Sequence, residues 1–130
     1  MILNHLALGV TEILLTVAMF EKYFGLRRVD NFAVNDNMAF LNDDTGTLLS
    51  IFRVPDAKYP EIFRVGFMRD TVDQVSDVHE QLKTDGFGLE AIREEFGRQT
   101  FCFKAPGGFT VEVGAFISDE TAARTRAKAE

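Results

Sequence analysis

The sequence predicts an α+β fold made of two tandem βαβββ modules. The order of one strand, one helix and three further strands occurs twice, and equivalent landmarks recur about sixty residues apart. His5 and Arg64 are 59 residues apart, and the turn glycines Gly46 and Gly108 are 62 apart. Because 130 residues are too few for two ordinary domains, we expect both modules to form one domain.

Turn-forming residues separate the short runs of strand-like residues in both modules. The first module is expected to span residues 1–54, a linker residues 55–61 and the second module residues 62–117 of this one domain, residues 1–117. Residues 118–130 lack an apolar stripe, so this C-terminal tail is expected to be helical or disordered. The predicted strands are residues 1–8, 27–34, 38–42, 47–54, 62–68, 89–94, 99–104 and 109–116.

Apolar residues at helical spacing predict one helix in each module. The first helix is expected from about Glu12 to Phe24, with Thr11 as its N-cap and Gly25 as its stop. Its apolar face is expected to hold Ile13, Leu14, Val17, Phe20 and Phe24.

The second helix is expected to begin after Thr71, because Gln74 lies at capping-box spacing from it. This helix should cover one face of the last strand, while Glu112 points to the other face. Alternation along that strand puts Thr110, Gly114 and Phe116 on the side of Glu112, and Phe109, Val111, Val113 and Ala115 on the helix side.

The composition excludes several classes of partner. The net charge of −6 and the absence of a Lys/Arg stripe argue against nucleic acid. Ile13–Phe20, the longest nearly apolar run, is too short to cross a membrane, and the opening residues lack the features of a signal peptide. Cys102 is the only cysteine, so no internal disulfide can form and a cytoplasmic location is expected. We interpret Cys102 as a buried, unreactive thiol.

Three segments carry a wider resemblance: NHLALGV near the start, FRVGFM in the middle and PGGFTVEVGAF near the end. With two βαβββ modules, a His on the first strand and a Glu on the last, residues 1–117 resemble the vicinal oxygen chelate superfamily. That superfamily includes glyoxalase I, extradiol dioxygenases, fosfomycin-resistance enzymes and bleomycin-binding resistance proteins. The resemblance implies that each module forms a half-barrel and that the two form a half-open cup for a small molecule.

The resemblance implies that four side chains face this cup: His5 and Ser50 from the first module, and Arg64 and Glu112 from the second. In family enzymes two His and one Glu at such places hold a metal. Arg64 stands where the second His is expected, and a guanidinium is a permanent cation without a lone pair to donate. We therefore expect Arg64 and Glu112 to form an ion pair in place of a metal centre.

Of these four residues, only His5 and Glu112 remain as metal ligands, since a neutral Ser50 hydroxyl is a poor one. We expect the protein to bind no cofactor. The alternative is a divalent Zn, Ni, Mn or Fe ion held by His5 and Glu112, with Glu112 also a candidate catalytic residue. His5 also has a structural interpretation as a hydrogen-bonded core histidine.

Thirteen Phe and no Trp predict a core or cavity lined by apolar rings. Phe52 and Phe116 are expected to face the cup, together with whichever of Phe40, Phe101 and Phe103 share that side. These rings would either stack on a planar ligand or simply fill the cup.

We interpret the chain as a small-molecule-binding protein, similar to the glyoxalases and bleomycin-resistance proteins, with a degenerate metal site. Its ligand is expected to be a small organic molecule, aromatic and anionic, with Arg64 as the anchor of the acid group. The family also implies a homodimer. Two alternatives stay open: a metal-dependent lyase or dioxygenase, and a non-catalytic interaction module with a filled cup. The expected ligand-binding residues are His5, Ser50, Phe52, Arg64, Glu112 and Phe116.

Overall fold

The computed structural model describes residues 1–118, so the predicted tail beyond Ser118 lies outside the described residues. One strand, one helix and three strands occur twice in succession, which confirms the predicted α+β fold of two βαβββ modules. The chain divides into two compact units, one made of Met1–Phe63 with Ala105–Phe109 and the other of Arg64–Lys104 with the chain from Thr110 onward. The turn Ala105–Phe109, which the sequence assigned to the second module, therefore belongs to the first unit.

The first unit contains a four-stranded mixed sheet with one helix. The first strand lies beside the fourth and parallel to it, and the third and second follow in antiparallel order. Alternate residues such as Leu8, Val10 and Ile51 are buried and form the core on one face of the sheet. The elements are β1 (His5–Val10), α1 (Ile13–Phe24), β2 (Arg27–Arg28), β3 (Met38–Asn42) and β4 (Leu48–Arg53).

The second unit repeats this topology, again with the first and fourth of its strands parallel at one side of the sheet. On its last strand Val111, Val113 and Ala115 are buried, as the alternation predicted. Phe109 is buried as well, and its ring stacks on Phe20 of α1, with 5.9 Å between centroids. The elements are β5 (Val65–Met68), α2 (Val72–Thr84), β6 (Arg93–Glu95), β7 (Arg98–Lys104) and β8 (Thr110–Phe116).

Three predicted strands are displaced or shortened. The strand expected over residues 1–8 is β1, which begins and ends later. The strand expected over residues 27–34 shrinks to β2, since the following residues form turns in which the Asn35 side chain accepts two backbone N–H groups. The strand expected over residues 89–94 is displaced to β6, and Leu89 makes only an isolated bridge. The other predicted strands match β3, β4, β5, β7 and β8 to within three residues at either end.

The start of α1 differs from the prediction, whereas its end agrees. Glu12 and not Thr11 is the N-cap, and it makes no side-chain capping bond. Gly25 ends the helix in the left-handed conformation, with φ of 67°, as expected. The predicted apolar face is wrong at Leu14, which is 46% exposed, while Thr16 is fully buried.

The capping box of α2 is present as predicted. The Thr71 hydroxyl accepts a hydrogen bond from the Gln74 backbone N–H at 3.2 Å, and the Gln74 side-chain oxygen accepts one from the Thr71 N–H at 3.1 Å. Each bond satisfies a backbone donor that the first turn of a helix leaves unpaired. In residues 1–118 neither helix combines the length and the apolar character needed to span a membrane.

The turn Ala105–Phe109 packs on the start of α1 and accounts for the burial of Thr16. The Thr16 hydroxyl donates to the Pro106 carbonyl at 2.9 Å, and the Thr11 N–H donates to the Gly107 carbonyl at 2.9 Å. Gly107 has φ of 98°, and a Cβ atom at this position would lie 2.6 Å from the Thr16 hydroxyl oxygen. Only glycine therefore fits both the conformation and the space.

Candidate functional site

His5 and Ser50 meet on the sheet face of the first unit that lies opposite the buried core. The parallel register pairs Ala7 with Ser50, so His5, two residues before Ala7, shares that face. The His5 Nε2 and Ser50 Oγ atoms are 3.1 Å apart and form a hydrogen bond. Ser50 is 5% exposed, whereas His5 is exposed. The two predicted site residues of the first module are thus in contact.

Aromatic rings continue this face of the first unit. Phe40 pairs with Ser50 across the strands, and the ring of Phe52 meets the ring of Phe40 edge-on with centroids 5.9 Å apart. Phe32 extends the row at 5.2 Å from Phe40. Phe52 is 41% exposed. Phe52 therefore lies on the same side of the sheet as Ser50, opposite the core, and Phe40 shares its side. Whether this side faces a cup, as expected for Phe52, stays a prediction.

Arg64 and Glu112 form an ion pair on the corresponding face of the second unit. Gly66 is paired with Glu112 in the register of β5 and β8, so Arg64, two residues before Gly66, lies on the same side. Arg64 Nη1 donates to Glu112 Oε2 at 2.9 Å. The side chains are 32% and 14% exposed, so water screens this pair only in part. The ion pair expected between these two residues is present.

Arg98 is a second cation on the same carboxylate, and sequence reasoning missed it. Its Nη1 donates to Glu112 Oε1 at 3.4 Å and to the sulfur of Met68 at the same distance. Arg98 lies on β7 opposite Phe116, and two-residue alternation puts its side chain on the side of Glu112. Sequence alternation along β7 could have suggested this side, but the contact depends on the register between β7 and β8.

Cys102 also contacts Glu112. It is paired with Glu112 in the register of β7 and β8, and its sulfur lies 3.6 Å from Glu112 Oε2. Burial raises the pKa of the Cys102 thiol, and the nearby Arg93 and Arg64 side chains oppose that rise only in part. The expectation of a buried thiol is met, and Arg93 and Arg64 are its basic neighbours.

Arg93 forms a separate charged group on this face. Its Nε donates to Glu95 at 2.8 Å, and its Nη1 donates to Glu90 at 3.0 Å. Hydrogen bonds with Glu95 and with Cys102 raise the pKa of Arg93 above its ordinary value. Two carboxylates thus balance this guanidinium, in contrast to Arg64 and Arg98, which share one.

The remaining aromatic candidates divide between the two faces of the second sheet. Phe116 is half-buried on the side of Glu112, as expected. Phe101 and Phe103 are buried, and they are paired with Val113 and Val111, so they belong to the core side. The sequence left undecided on which side of the sheet Phe40, Phe101 and Phe103 lie. Of these three, only Phe40 lies on the face opposite the core.

These residues do not fit a divalent metal ion. Residues 1–118 contain no group of three or more His, Cys, Asp or Glu side chains arranged to hold one. Both carboxylate oxygens of Glu112 are already acceptors for guanidinium groups, and His5 is hydrogen-bonded to Ser50. A divalent ion at Glu112 would be repelled by Arg64 and Arg98 at close range.

Comparisons with solved structures identify chains of the same fold. A possible glyoxalase from Bacillus cereus has a TM-score of 0.80 and 34% sequence identity, covering 87% of this chain and 97% of that chain. The fosfomycin resistance protein FosX from Listeria monocytogenes has a TM-score of 0.76 and 16% identity, covering 93% and 97%. Lactoylglutathione lyase from Agrobacterium tumefaciens has a TM-score of 0.70 and 19% identity, covering 88% and 92%. No curated protein matches this chain.

The family model matches nearly the whole described chain. Residues 2–113 match the model for the Glyoxalase/Bleomycin resistance protein/Dioxygenase superfamily. This match confirms the resemblance carried by the repeat and by the segments around His5, Arg64 and Glu112. The chain belongs to the Glyoxalase/Bleomycin resistance protein/Dioxygenase superfamily.

Proposed function

We propose that this protein binds a small organic anion on the sheet face of its second unit that carries Arg64 and Glu112. We propose that it does so without a metal ion. The ion pair between Arg64 and Glu112, 2.9 Å long, is the observation that carries the proposal. A guanidinium gives no lone pair to a metal, and here it occupies the carboxylate that would be a ligand. The metal site suggested by the family resemblance is therefore degenerate.

Arg64 is the proposed anchor for the acid group of the ligand. Its planar fork of N–H donors matches a carboxylate, and 32% of its side chain stays exposed beside Glu112. Glu112 balances part of the positive charge on this face when no ligand is bound. Phe116, on the same side of β8, supplies an apolar ring next to the charged groups.

On the first unit, taken by itself, His5, Ser50 and Phe52 are the residues proposed to bind a small molecule. The ring of Phe52 is 41% exposed although it is large and apolar, which favours stacking with a planar group. The His5–Ser50 pair offers a hydrogen bond that a polar ligand atom can share or replace. These properties favour a ligand with an aromatic ring.

The proposed setting is a homodimer in the cytoplasm. The single thiol, Cys102, suits a reducing compartment because no disulfide is available to stabilise the fold. The homodimer follows from the family resemblance. Light scattering on the purified full chain tests it: a mass of about twice 14.6 kDa is expected, and a monomer would contradict it.

Thermal denaturation with small aromatic acids tests the proposed function. Benzoate and salicylate at millimolar concentration should raise the melting temperature of the wild-type protein, because a ligand that binds only the folded state stabilises it. Arg64→Gln should abolish the increase. Arg27→Gln is the matched control, since Arg27 pairs with Asp44 on the surface of the first unit and its side chain is 67% exposed.

Two results would contradict the proposal. Stoichiometric Zn, Ni, Mn or Fe that is lost on His5→Ala would support a metal-dependent lyase or dioxygenase that uses His5 and Glu112. A melting temperature that no small acid changes, with wild-type and Arg64→Gln proteins behaving alike, would favour a non-catalytic interaction module.

A further inference from the structure

We propose that Arg98 supplies the uncompensated positive charge that binds the ligand, and that Glu112 makes the site selective for a single negative charge. This inference rests on the proposed function and refines it: Arg64 and Arg98 act together on one carboxylate, and the ligand completes the set of charges. The expected ligand class is an organic monocarboxylate, in preference to a dianion or a neutral molecule.

The charges around Glu112 do not cancel. Arg64 and Arg98 contribute two positive charges, and Glu112 contributes one negative charge. Within residues 1–118 neither arginine forms an ion pair with any other acid, so this group of three carries one net positive charge. Cys102 does not alter the balance, since its buried thiol stays neutral at pH 7.

The neighbouring charged groups leave this excess positive charge in place. Arg93 on the same face is held by Glu90 and Glu95, so these acids are already engaged. Lys104 lies on the same side of β7, but its side chain is exposed and donates to Thr110 at 3.1 Å. Because water screens an exposed ammonium, Lys104 affects the selectivity for ligand charge much less than a partly buried guanidinium does.

Arg64 and Arg98 differ in how closely each is bonded to Glu112. The bond from Arg64 to Glu112 is 2.9 Å long, whereas that from Arg98 is 3.4 Å and shares its donor with the sulfur of Met68. Thioether sulfur is a weak acceptor, so Arg98 is the less satisfied of the two cations. Its side chain makes no other hydrogen bond within the described part of the chain, and it has further N–H groups to offer.

Partial burial makes the excess charge consequential. The side chain of Arg98 is 23% exposed and that of Glu112 is 14% exposed. A cation held away from water and without a full counter-charge favours binding of an anion. One carboxylate gives two positive and two negative charges, whereas a dianion would leave one negative charge in excess.

Ligand-observed NMR titrations of the full chain test this inference with three probes: benzoate, neutral benzamide and the phthalate dianion. The wild-type protein should bind benzoate about tenfold or more tightly than either of the others, as expected for one charge-assisted contact. Arg98→Gln should weaken benzoate to the level of benzamide. Glu112→Gln, which adds one net positive charge, should reverse the preference and favour phthalate. Arg27→Gln should match the wild-type protein.

The outcomes distinguish this inference from the proposed function. If Arg64→Gln loses benzoate while Arg98→Gln binds it within twofold of wild type, the role of Arg98 is overturned and the proposed function stands. If the wild-type protein binds none of the probes, the proposed function itself is contradicted. Should Arg98→Gln fail to fold, Arg98→Lys decides: it keeps the charge and should keep the preference for benzoate over benzamide, and equal affinities would overturn the inference.

Discussion

The two modules share one topology and carry different chemistry at equivalent places. In the first unit His5 and Ser50 meet across β1 and β4 through a neutral hydrogen bond of 3.1 Å. In the second unit Arg64 and Glu112 meet across the corresponding strands through an ion pair of 2.9 Å. The comparison teaches that strand register determines which side chains meet, whereas residue identity determines what they can bind.

The turns before the last strand of each module differ in a similar way. Asp43 closes the first turn locally, because its carboxylate accepts bonds from the Thr45 N–H at 2.9 Å, the Thr45 hydroxyl at 2.8 Å and the Thr47 N–H at 2.9 Å. The turn Ala105–Phe109 is instead held by its packing on α1. One turn is stabilised by its own side chains and the other by tertiary contacts.

The largest effect is expected when the glycines in these two turns are replaced by alanine. Gly107 and Gly46 both have positive φ, of 98° and 87°, but a Cβ atom would clash with Thr16 and Val10 only at Gly107. Gly107→Ala should therefore lower the free energy of unfolding by about 3 kcal/mol, from backbone strain and overpacking together. Gly46→Ala should cost about 1 kcal/mol, from strain alone. Urea denaturation measures both, and equal losses would contradict the packing of this turn.

The next largest effect is expected at the two contacts between paired strands, Arg64–Glu112 and His5–Ser50. Glu112→Gln leaves two half-buried guanidinium groups without a counter-charge and should cost about 2–3 kcal/mol, less than for a fully buried pair because both arginines are partly exposed. Ser50→Ala removes one neutral hydrogen bond and should cost about 1 kcal/mol. Chemical denaturation at low ionic strength measures the difference. A Glu112→Gln protein as stable as the wild type would show that the ion pair contributes nothing to folding.

The smallest effect concerns Asp43 and its dependence on pH. Although burial opposes the change, hydrogen bonds from Thr45 and Thr47 hold the pKa of Asp43 below its usual value of 3.8. A lowered pKa in the folded state stabilises the fold above the unfolded pKa, and this contribution is lost as the pH falls through the folded value. Asp43→Ala should lower the free energy of unfolding by less than about 1 kcal/mol at neutral pH. The difference should begin to shrink near pH 3.8 and be lost as the pH falls through the lower folded pKa; unfolding curves at several pH values test this, and a difference that grows in acid would refute the account.

Local signals in the sequence predicted the helices and the repeat well. The capping box of Thr71 and Gln74 and the stop at Gly25 act within a few residues, so they can be identified without tertiary information. The apolar face was predicted wrongly at Leu14, and the burial of Thr16 was not predicted, because it depends on a turn that is distant in sequence. The strand expected over residues 89–94 was misplaced for a similar reason, since Leu89 lacks a continuous partner strand.

The candidate site was predicted only in part. The pairing of Arg64 with Glu112 followed from the family resemblance, and alternation along the last strand supported the side assigned to Glu112. Arg98 and Cys102 were not associated with Glu112, because their contacts depend on how β7 and β8 are aligned. Alternation assigns residues to a face, but it does not say which residues of neighbouring strands lie opposite one another.

Metal content tests the central claim most directly. Protein purified without chelators, with stoichiometric Zn, Ni, Mn and Fe supplied in turn, should contain far less than one equivalent of metal by elemental analysis. Arg64→His, which restores a coordinating imidazole beside Glu112, should retain more metal than the wild type. One tightly bound equivalent in the wild-type protein, lost on Glu112→Gln, would contradict the claim that a guanidinium has replaced the metal.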